Sequence, residues 1–235
     1  MEVQIAVAKV QKYAVSSSGD TVEVVERPNG GVSVVMADGQ SSGRGAKAIS
    51  TMVVRKVISL LAEGVRDGAA ARAASDALFT ERGGKVSATL NIVSIDQQTQ
   101  TMVITRNNPV SGLIAFQDQV ITLDTKSDPI GLYRDTRPVI TQVSLEPGIT
   151  AVVYTDGLVH AGSRTGRTMD VVSCFREILE GETPSPEFIA DSLLEHALRL
   201  DEYRPVDDIT VVVVCVLRRV GDDVRRMTVR LPLNT

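Results

Sequence analysis

The order of periodic segments predicts an α+β chain, a layered α/β/β/α sandwich of two mainly antiparallel sheets flanked by helices. Three observations predict it. Short segments with period-two alternation come in runs, two pairs of helical patterns interrupt those runs, and the last strand pattern is apolar on both faces. A doubly wound parallel fold would instead alternate strand and helix one by one.

Taken in order, EVQIAVAK (2–9) alternates as a half-buried strand does. A turn is expected over Ser16–Asp20. TVEVVE and GVSVVMA then flank Pro28-Asn29-Gly30-Gly31, a hairpin signal. A Gly/Ser-rich loop over 39–45 opens a helix over roughly 45–64, which places Ala48, Met52, Val53, Val57, Leu60 and Leu61 on one face. A second, Ala-rich helix covers roughly 69–80 and stops at Gly83-Gly84. Six short strands follow: VSATLNIVSI, TQTMVITR, SGLIAFQ, QVITLD, PVITQVSL and TAVVYT. Helices are expected around 168–180 and 186–199, the second introduced by Thr183-Pro184-Ser185-Pro186. ITVVVVCVL (209–217) reads as a strand covered on both faces. Residues 1–218 form one domain in this reading, and 219–235 are an extension whose alternation suggests an added edge strand.

Composition narrows the function. A chain of 235 residues, 43% hydrophobic and 23% charged, is long enough to bury a real core. The net charge is −4 with both signs dispersed, and aromatic residues make up 3%, which argues against nucleic-acid binding by a basic stripe or a stacking platform. Cys174 and Cys215 are the two cysteines, without a CxxC, and read as reduced thiols. The first residues lack a basic and apolar leader, and the longest apolar run, Ile209–Leu217, is far short of the ~20 residues that cross a bilayer. A soluble, cytoplasmic protein without membrane partners is expected.

The aspartates carry the chemical signal. Asp38 ends one apolar run and is followed by Gly39; Asp156 ends another and is followed by Gly157. Asp207 and Asp208 immediately precede the buried strand, and Asp20 falls in the early turn. A single Asp-Gly at a strand end is ordinary turn chemistry. Several acidic clusters at the tips of strands expected to be neighbours are harder to explain that way, because poorly hydrated carboxylates repel. A hard divalent cation relieves that repulsion with oxygen ligands. In this reading the glycine after each Asp allows a sharp turn and exposes its own carbonyl.

SGD (18–20), ADG (37–39), YTDGL (154–158) and DDIT (207–210) resemble, in this order, the motifs of the PPM family of metal-dependent, type-2C protein phosphatases. PIGLY (129–133) and EPGITAVVYTDGLVHAGSRTG (146–166) are similar to segments of its bacterial branch, which contains the stage II sporulation and stress-response phosphatases. The resemblance spans roughly residues 5–218. It implies the sandwich fold and a Ser/Thr phosphatase that uses two divalent cations, Mn²⁺ or Mg²⁺, to activate water. The implied substrate is a phosphorylated bacterial regulator such as an anti-sigma-factor antagonist. Asp38 would bridge both ions, the Gly39 carbonyl would bind one, and Asp156 and Asp207 would hold the other. Asp20 would act directly or through water at the first, and Asp208 would position.

Some positions depart from the family pattern. Gln40 stands where many eukaryotic members carry His, so no general acid is assigned. Their phosphate-binding Arg has no clear match, and Lys12 lies far upstream. Arg106, in Thr105-Arg106-Asn107-Asn108-Pro109, reads either as a phosphate ligand or as a surface residue at a strand end. His160, four residues beyond Asp156, lies close enough in sequence to approach the site; His196 falls on a helix, and two histidines make a zinc site improbable. No G-x-S-x-G or P-loop occurs. The rival functions are a phosphoprotein-binding module without turnover and a phosphatase of small molecules. Without a recognisable sensor domain, control is expected from a partner or from substrate presentation.

Overall fold

A computed structural model describes residues 1–117, 119–180 and 184–232. Ten strands form two antiparallel five-stranded sheets. One sheet has the order β1-β10-β9-β6-β7, built from β1 (Glu2–Val10), β10 (Ile209–Leu217), β9 (Thr150–Tyr154), β6 (Gly112–Phe116) and β7 (Gln119–Leu123). The other has the order β2-β3-β4-β5-β8, built from β2 (Asp20–Glu26), β3 (Val32–Gly39), β4 (Ala88–Asp96), β5 (Thr101–Asn107) and β8 (Val139–Ser144). Helices α1 (Gly43–Ala62) and α2 (Asp67–Arg82) cover the second sheet. Helices α4 (Val171–Leu179) and α5 (Pro186–Leu200) cover the first, and the short α3 (Asp156–His160) follows β9.

Three apolar layers hold this stack together. Val34, Met36, Val93, Ile104, Val212 and Val214 pack between the sheets. Val35, Leu90 and Ile92 meet Val53, Val57, Leu61 and Leu78 of α1 and α2. Val211, Val213 and Cys215 meet Phe175, Ile189 and Leu193 of α4 and α5. The valines of β10 thus alternate between two apolar layers, which is why this strand has no polar face. Each buried Leu, Val or Phe contributes about 1.5–3 kcal/mol relative to exposure.

Local chemistry sets the element ends. Gly30, at φ 91°, closes the β2–β3 turn, where the Arg27 amide donates to Gly31 O at 2.9 Å. Gly83, at φ 61°, ends α2 in the left-handed conformation that a residue without Cβ adopts most readily. Ser185 caps α5, its hydroxyl accepting the Phe188 amide at 3.2 Å, with Pro186 first in the helix. Thr183 of the predicted stop lies outside the described residues.

Three expectations are corrected. The buried stripe of α1 runs through Ala46, Ile49, Val53, Val54, Val57 and Leu61, and Ala48 is exposed. The helix packs on β2, β3 and α2 together. Val53, Val57 and Leu61 of the predicted face are buried and Met52 and Leu60 pack half-buried against the same layer, so the contact only widens the stripe toward Ala46, Ile49 and Val54. Asp20 is the first residue of β2, not part of a turn. The described part of the tail, 218–232, contains no strand. Alternation becomes a strand only where a sheet edge supplies ladder bonds. The tail instead places Arg225 against Glu26 at 3.4 Å on the surface.

Candidate active site

Strand register assembles the first half of the site. In the β2–β3 pair, Asp20 lies directly opposite Asp38, so both carboxylates stand on one face of the sheet. The second half comes from the other sheet. Tyr154 pairs with Val211, and the Thr155 amide donates to Thr210 O at 3.0 Å, which brings Asp156 at the start of α3 beside Asp207 and Asp208. The acidic strand tips are therefore neighbours two by two within each sheet, and the pairs meet only because the sheets stack.

A cavity of about 410 Å³ lies where they meet, lined by Lys12, Asp38, Gly39, Gln40, Ser41, Ser42, Ser87, Ala88, Thr89, Asp156 and Asp207. Asp20 sits beneath it, fully buried. Its Oδ2 accepts from the hydroxyls of Thr210 at 2.5 Å and Thr155 at 3.2 Å. Its main-chain oxygen accepts from Lys9 Nζ and Lys47 Nζ, each at 2.7 Å. Asp208 is held by main-chain amides: Oδ1 accepts the Lys12 amide at 2.8 Å and Oδ2 the Gly19 amide at 2.7 Å. That clamp holds the 12–19 segment and sets Lys12 at the cavity wall.

Electrostatics reflect the crowding. Burial, then the neighbouring Asp20, Asp156 and Asp207, push the Asp38 carboxyl up to about 9. Burial also raises Asp20, to about 6, although the Thr210 hydroxyl opposes the shift. Asp156 is raised by burial, with His160 opposing. Burial lowers Lys9 and Lys47. Asp20 Oδ1 is buried without a hydrogen-bond partner among the described residues. Such an orphan costs about 1–3 kcal/mol, and a proton or a hard cation removes the cost. An all-oxygen donor set with surplus negative charge fits Mg²⁺ or Mn²⁺. Among the described residues no three His, Cys, Asp or Glu side chains converge into a ready-made ligand shell. The carboxylates ring the cavity, leaving room for water in the shell, as Mg²⁺ prefers.

The two glycines serve close approach, not turning. Neither Gly39 nor Gly157 has positive φ. A Cβ on Gly39 would stand 2.1 Å from Ala46 O of α1, and one on Gly157 would stand 2.1 Å from Asp208 O. Each lets another backbone press against its aspartate.

Other readings are settled by position. Arg106 is neither a phosphate ligand nor a surface residue: it is 2% exposed and donates to the carbonyls of Asn108, Val110 and Thr125 at 2.9–3.1 Å. It pins the loops beside β9, where Asn108 also donates to Tyr154 O at 3.2 Å. Gln40 Oε1 accepts the Ser87 amide at 2.9 Å, so that oxygen ties the loop to β4. His160 Nδ1 stands 3.8 Å from Asp156 Oδ2 and is well exposed, and His196 faces solvent on α5. Sequence reasoning did not single out Lys9, Lys47, Thr155, Thr210 or Asp201. Thr155 and Thr210 adjoin the acidic motifs, which is the signal that marks them. Asp201, fully buried, accepts the Gly162 and Val206 amides at 2.9 and 3.0 Å and has no such signal.

Two stacked antiparallel sheets with carboxylates gathered at one end define a member of the type-2C-like α/β/β/α class. The family model described as Stage II sporulation protein E (SpoIIE) matches residues 28–217. The chain belongs to that family. It is 23% identical to stage II sporulation protein E of Priestia megaterium over 90% of its own length and 36% of the relative's. It spans about a third or less of the curated relatives it matches. The solved PP2C phosphatase domain of SpoIIE from Bacillus subtilis, with a fragment of its regulatory domain, superposes with a TM-score of 0.80 at 22% identity, covering 94% of this chain and 64% of that one. The catalytic domain of the serine/threonine phosphatase PstP with two manganese ions superposes with a TM-score of 0.71 at 17% identity, covering 92% and 99%.

Proposed function

We propose that the chain is a metal-dependent phosphatase that removes phosphate from phosphoserine or phosphothreonine on a bacterial signalling protein, such as an anti-sigma-factor antagonist. The observation that carries this reading is the gathering of Asp38, Asp156 and Asp207 around one polar cavity with Asp20 buried beneath it, where burial raises the Asp20, Asp38 and Asp156 carboxyls. Four carboxylates alone would repel a phosphate dianion. Neutralised by cations, the same cavity attracts it.

Asp38, Asp156, Asp207, Asp20 and the Gly39 carbonyl are the groups that would hold two divalent cations, and the manganese pair in PstP supports that assignment. When bound, such a pair supplies an activated water and charge neutralisation for in-line displacement at phosphorus. The chain's own residues do the rest. Thr155 and Thr210 fix the Asp20 carboxylate from below, so one oxygen is held and the other stays free. Asp208 sets the Lys12 segment, and Lys12 is the one cationic side chain among the described lining residues, placed to face an incoming phosphate oxygen. In this reading the protein acts on cytoplasmic regulators. Among the described residues no helix is long and apolar enough to cross a membrane.

The test is hydrolysis of para-nitrophenyl phosphate after EDTA treatment and after adding Mn²⁺ or Mg²⁺. Turnover is expected only with metal, and Asp38→Ala, Asp156→Ala and Asp207→Ala should abolish it while the fold survives. Metal binding without turnover of this ester or of phosphoprotein would favour the non-catalytic binding module and sink the proposal.

A further inference from the structure

The outer face of α1 carries a groove of about 570 Å³ beside the active-site cavity, lined by Ser17, Arg44, Lys47, Ala48, Thr51, Met52 and Arg55. We infer that this groove binds an acidic segment flanking the phosphorylated residue of the protein substrate. The inference deepens the phosphatase reading above and rests on it.

The helix period builds the groove. Arg44, Ala48, Thr51, Met52 and Arg55 fall at i, i+4, i+7, i+8 and i+11, one stripe along the outside of α1. Arg44, Ala48 and Arg55 of this stripe are exposed and Thr51 and Met52 half-buried, because the buried stripe, through Ala46, Val53 and Val57, packs on the sheet and on α2. Ala48 and Met52 make an apolar floor between cations, with no acidic residue in the lining. Glu23 lies near enough to Lys47 to act on its charge but is not part of the groove.

Charge selects the occupant. Lys47 is already engaged, donating to Asp20 O and to Thr21 Oγ1 at 2.7 and 2.8 Å. Arg44 and Arg55 have no carboxylate within salt-bridge distance among the described residues. On a chain whose formal net charge is −4, two arginines on one helix face without a paired carboxylate among the described residues are a local exception. They are matched by an anionic partner, and the gain appears in encounter and register.

Position links the groove to the reaction. Ser41 and Ser42 line the catalytic cavity, and α1 begins at the next residue. A peptide whose phosphate sits over the carboxylates crosses the N-terminus of α1 and meets Arg44 first. Arg55 lies roughly 16 Å further along the helix axis at 1.5 Å per residue. An extended peptide covers that distance in about five residues. The recognised pattern is therefore a phosphoserine or phosphothreonine, an acidic residue close to it, and a second about five positions beyond.

The experiment compares three phosphoserine peptides on the metal-loaded protein: acidic residues on the N-terminal side, on the C-terminal side, or on neither. The same preparations are assayed with para-nitrophenyl phosphate. One acidic peptide should show a kcat/KM about three- to tenfold above the neutral one, as expected for two exposed charge pairs. The advantage should shrink as salt is raised. The double variant Arg44→Glu/Arg55→Glu should lose it and keep its rate on para-nitrophenyl phosphate, since both changes lie on the solvent face. Equal rates on all three peptides, or an advantage that survives in the double variant, overturn the groove while leaving the phosphatase reading intact. Absence of metal-activated turnover of para-nitrophenyl phosphate overturns both.

Discussion

Replacing Asp38 by Asn should make the metal-free protein more stable near neutral pH while abolishing its activity. The Asp38 carboxyl rises from 3.8 to about 9 through burial and the charges of Asp20, Asp156 and Asp207. A group whose folded-state pKa is raised contributes stability below its unfolded value, and that contribution is lost as pH climbs through the folded value. Without metal, stability should therefore fall with pH from about 4 up to about 9. Between pH ~5 and ~7.5 the full conversion at 1.36 kcal/mol per unit is roughly 3.4 kcal/mol. Asp38 keeps some exposure, so solvent screening reduces this to about 2 kcal/mol. For a chain of this length, that corresponds to a melting temperature lower by about 4–8 °C.

Asn has the shape of the protonated acid without the charge. In EDTA at pH ~7.5 the interval that separates variant from wild type runs from the unfolded value, so after the same screening the difference is about 3 kcal/mol, and Asp38→Asn should melt about 6–12 °C above the wild type. A smaller slope should persist below pH ~6, where Asp20 titrates. Thermal melts by circular dichroism in EDTA at both pH values make the comparison. Adding Mn²⁺ should restore the wild type, because the cation binds only the folded state, and should do less for the variant. A wild-type melting temperature that does not fall between the two pH values would refute the reasoning, as would a variant less stable than the wild type at the higher pH.

Other perturbations test the supporting parts. Gly157→Ala forces a Cβ to within 2.1 Å of Asp208 O, so the β9 and β10 ends must separate. A loss of about 1–3 kcal/mol in chemical denaturation is expected, with a larger fall in kcat than in KM. Arg106→Ala strips three carbonyls of their donor inside the protein, and urea unfolding should register about 3–5 kcal/mol. Phe175→Ala, in the layer under α4 and α5, should cost about 3–5 kcal/mol and leave metal-dependent turnover of the surviving folded fraction intact. Thr155→Val with Thr210→Val removes both hydroxyls from Asp20 Oδ2, and isothermal titration should show weaker Mn²⁺ binding without a change in global fold.

Most of the fold is legible along the chain because its elements announce themselves locally. The Pro28–Gly31 turn, the Gly83-Gly84 stop, the Ser185-Pro186 cap and the doubly apolar β10 each depend on neighbours in sequence. The short α3 does not, since five residues after β9 carry too little periodicity to distinguish a helical turn from a loop. The outer stripe of α1 is another case. Arg44, Ala48 and Arg55 have a helix period, yet only the packing of α1 on β2, β3 and α2 decides which side faces water.

For the site, the sequence by itself determined where Asp38, Asp156, Asp207 and Asp208 stand relative to the apolar strands, because an Asp at the end of a buried strand is visible from its neighbours alone. Tertiary structure decided everything that depends on meeting across the molecule. Asp20 and Asp38 meet by strand register, and they meet Asp156 and Asp207 only because one sheet stacks on the other. The same contacts moved Arg106 from the surface into a buried loop anchor and brought Lys12 to the cavity. They also assigned Gly39 and Gly157 to close backbone approach. Local sequence encodes backbone preference and burial period, which act over a few residues. Whether a charge is solvated or paired depends on partners up to 196 positions away, as between Asp208 and the Lys12 amide, and only the packed chain supplies them.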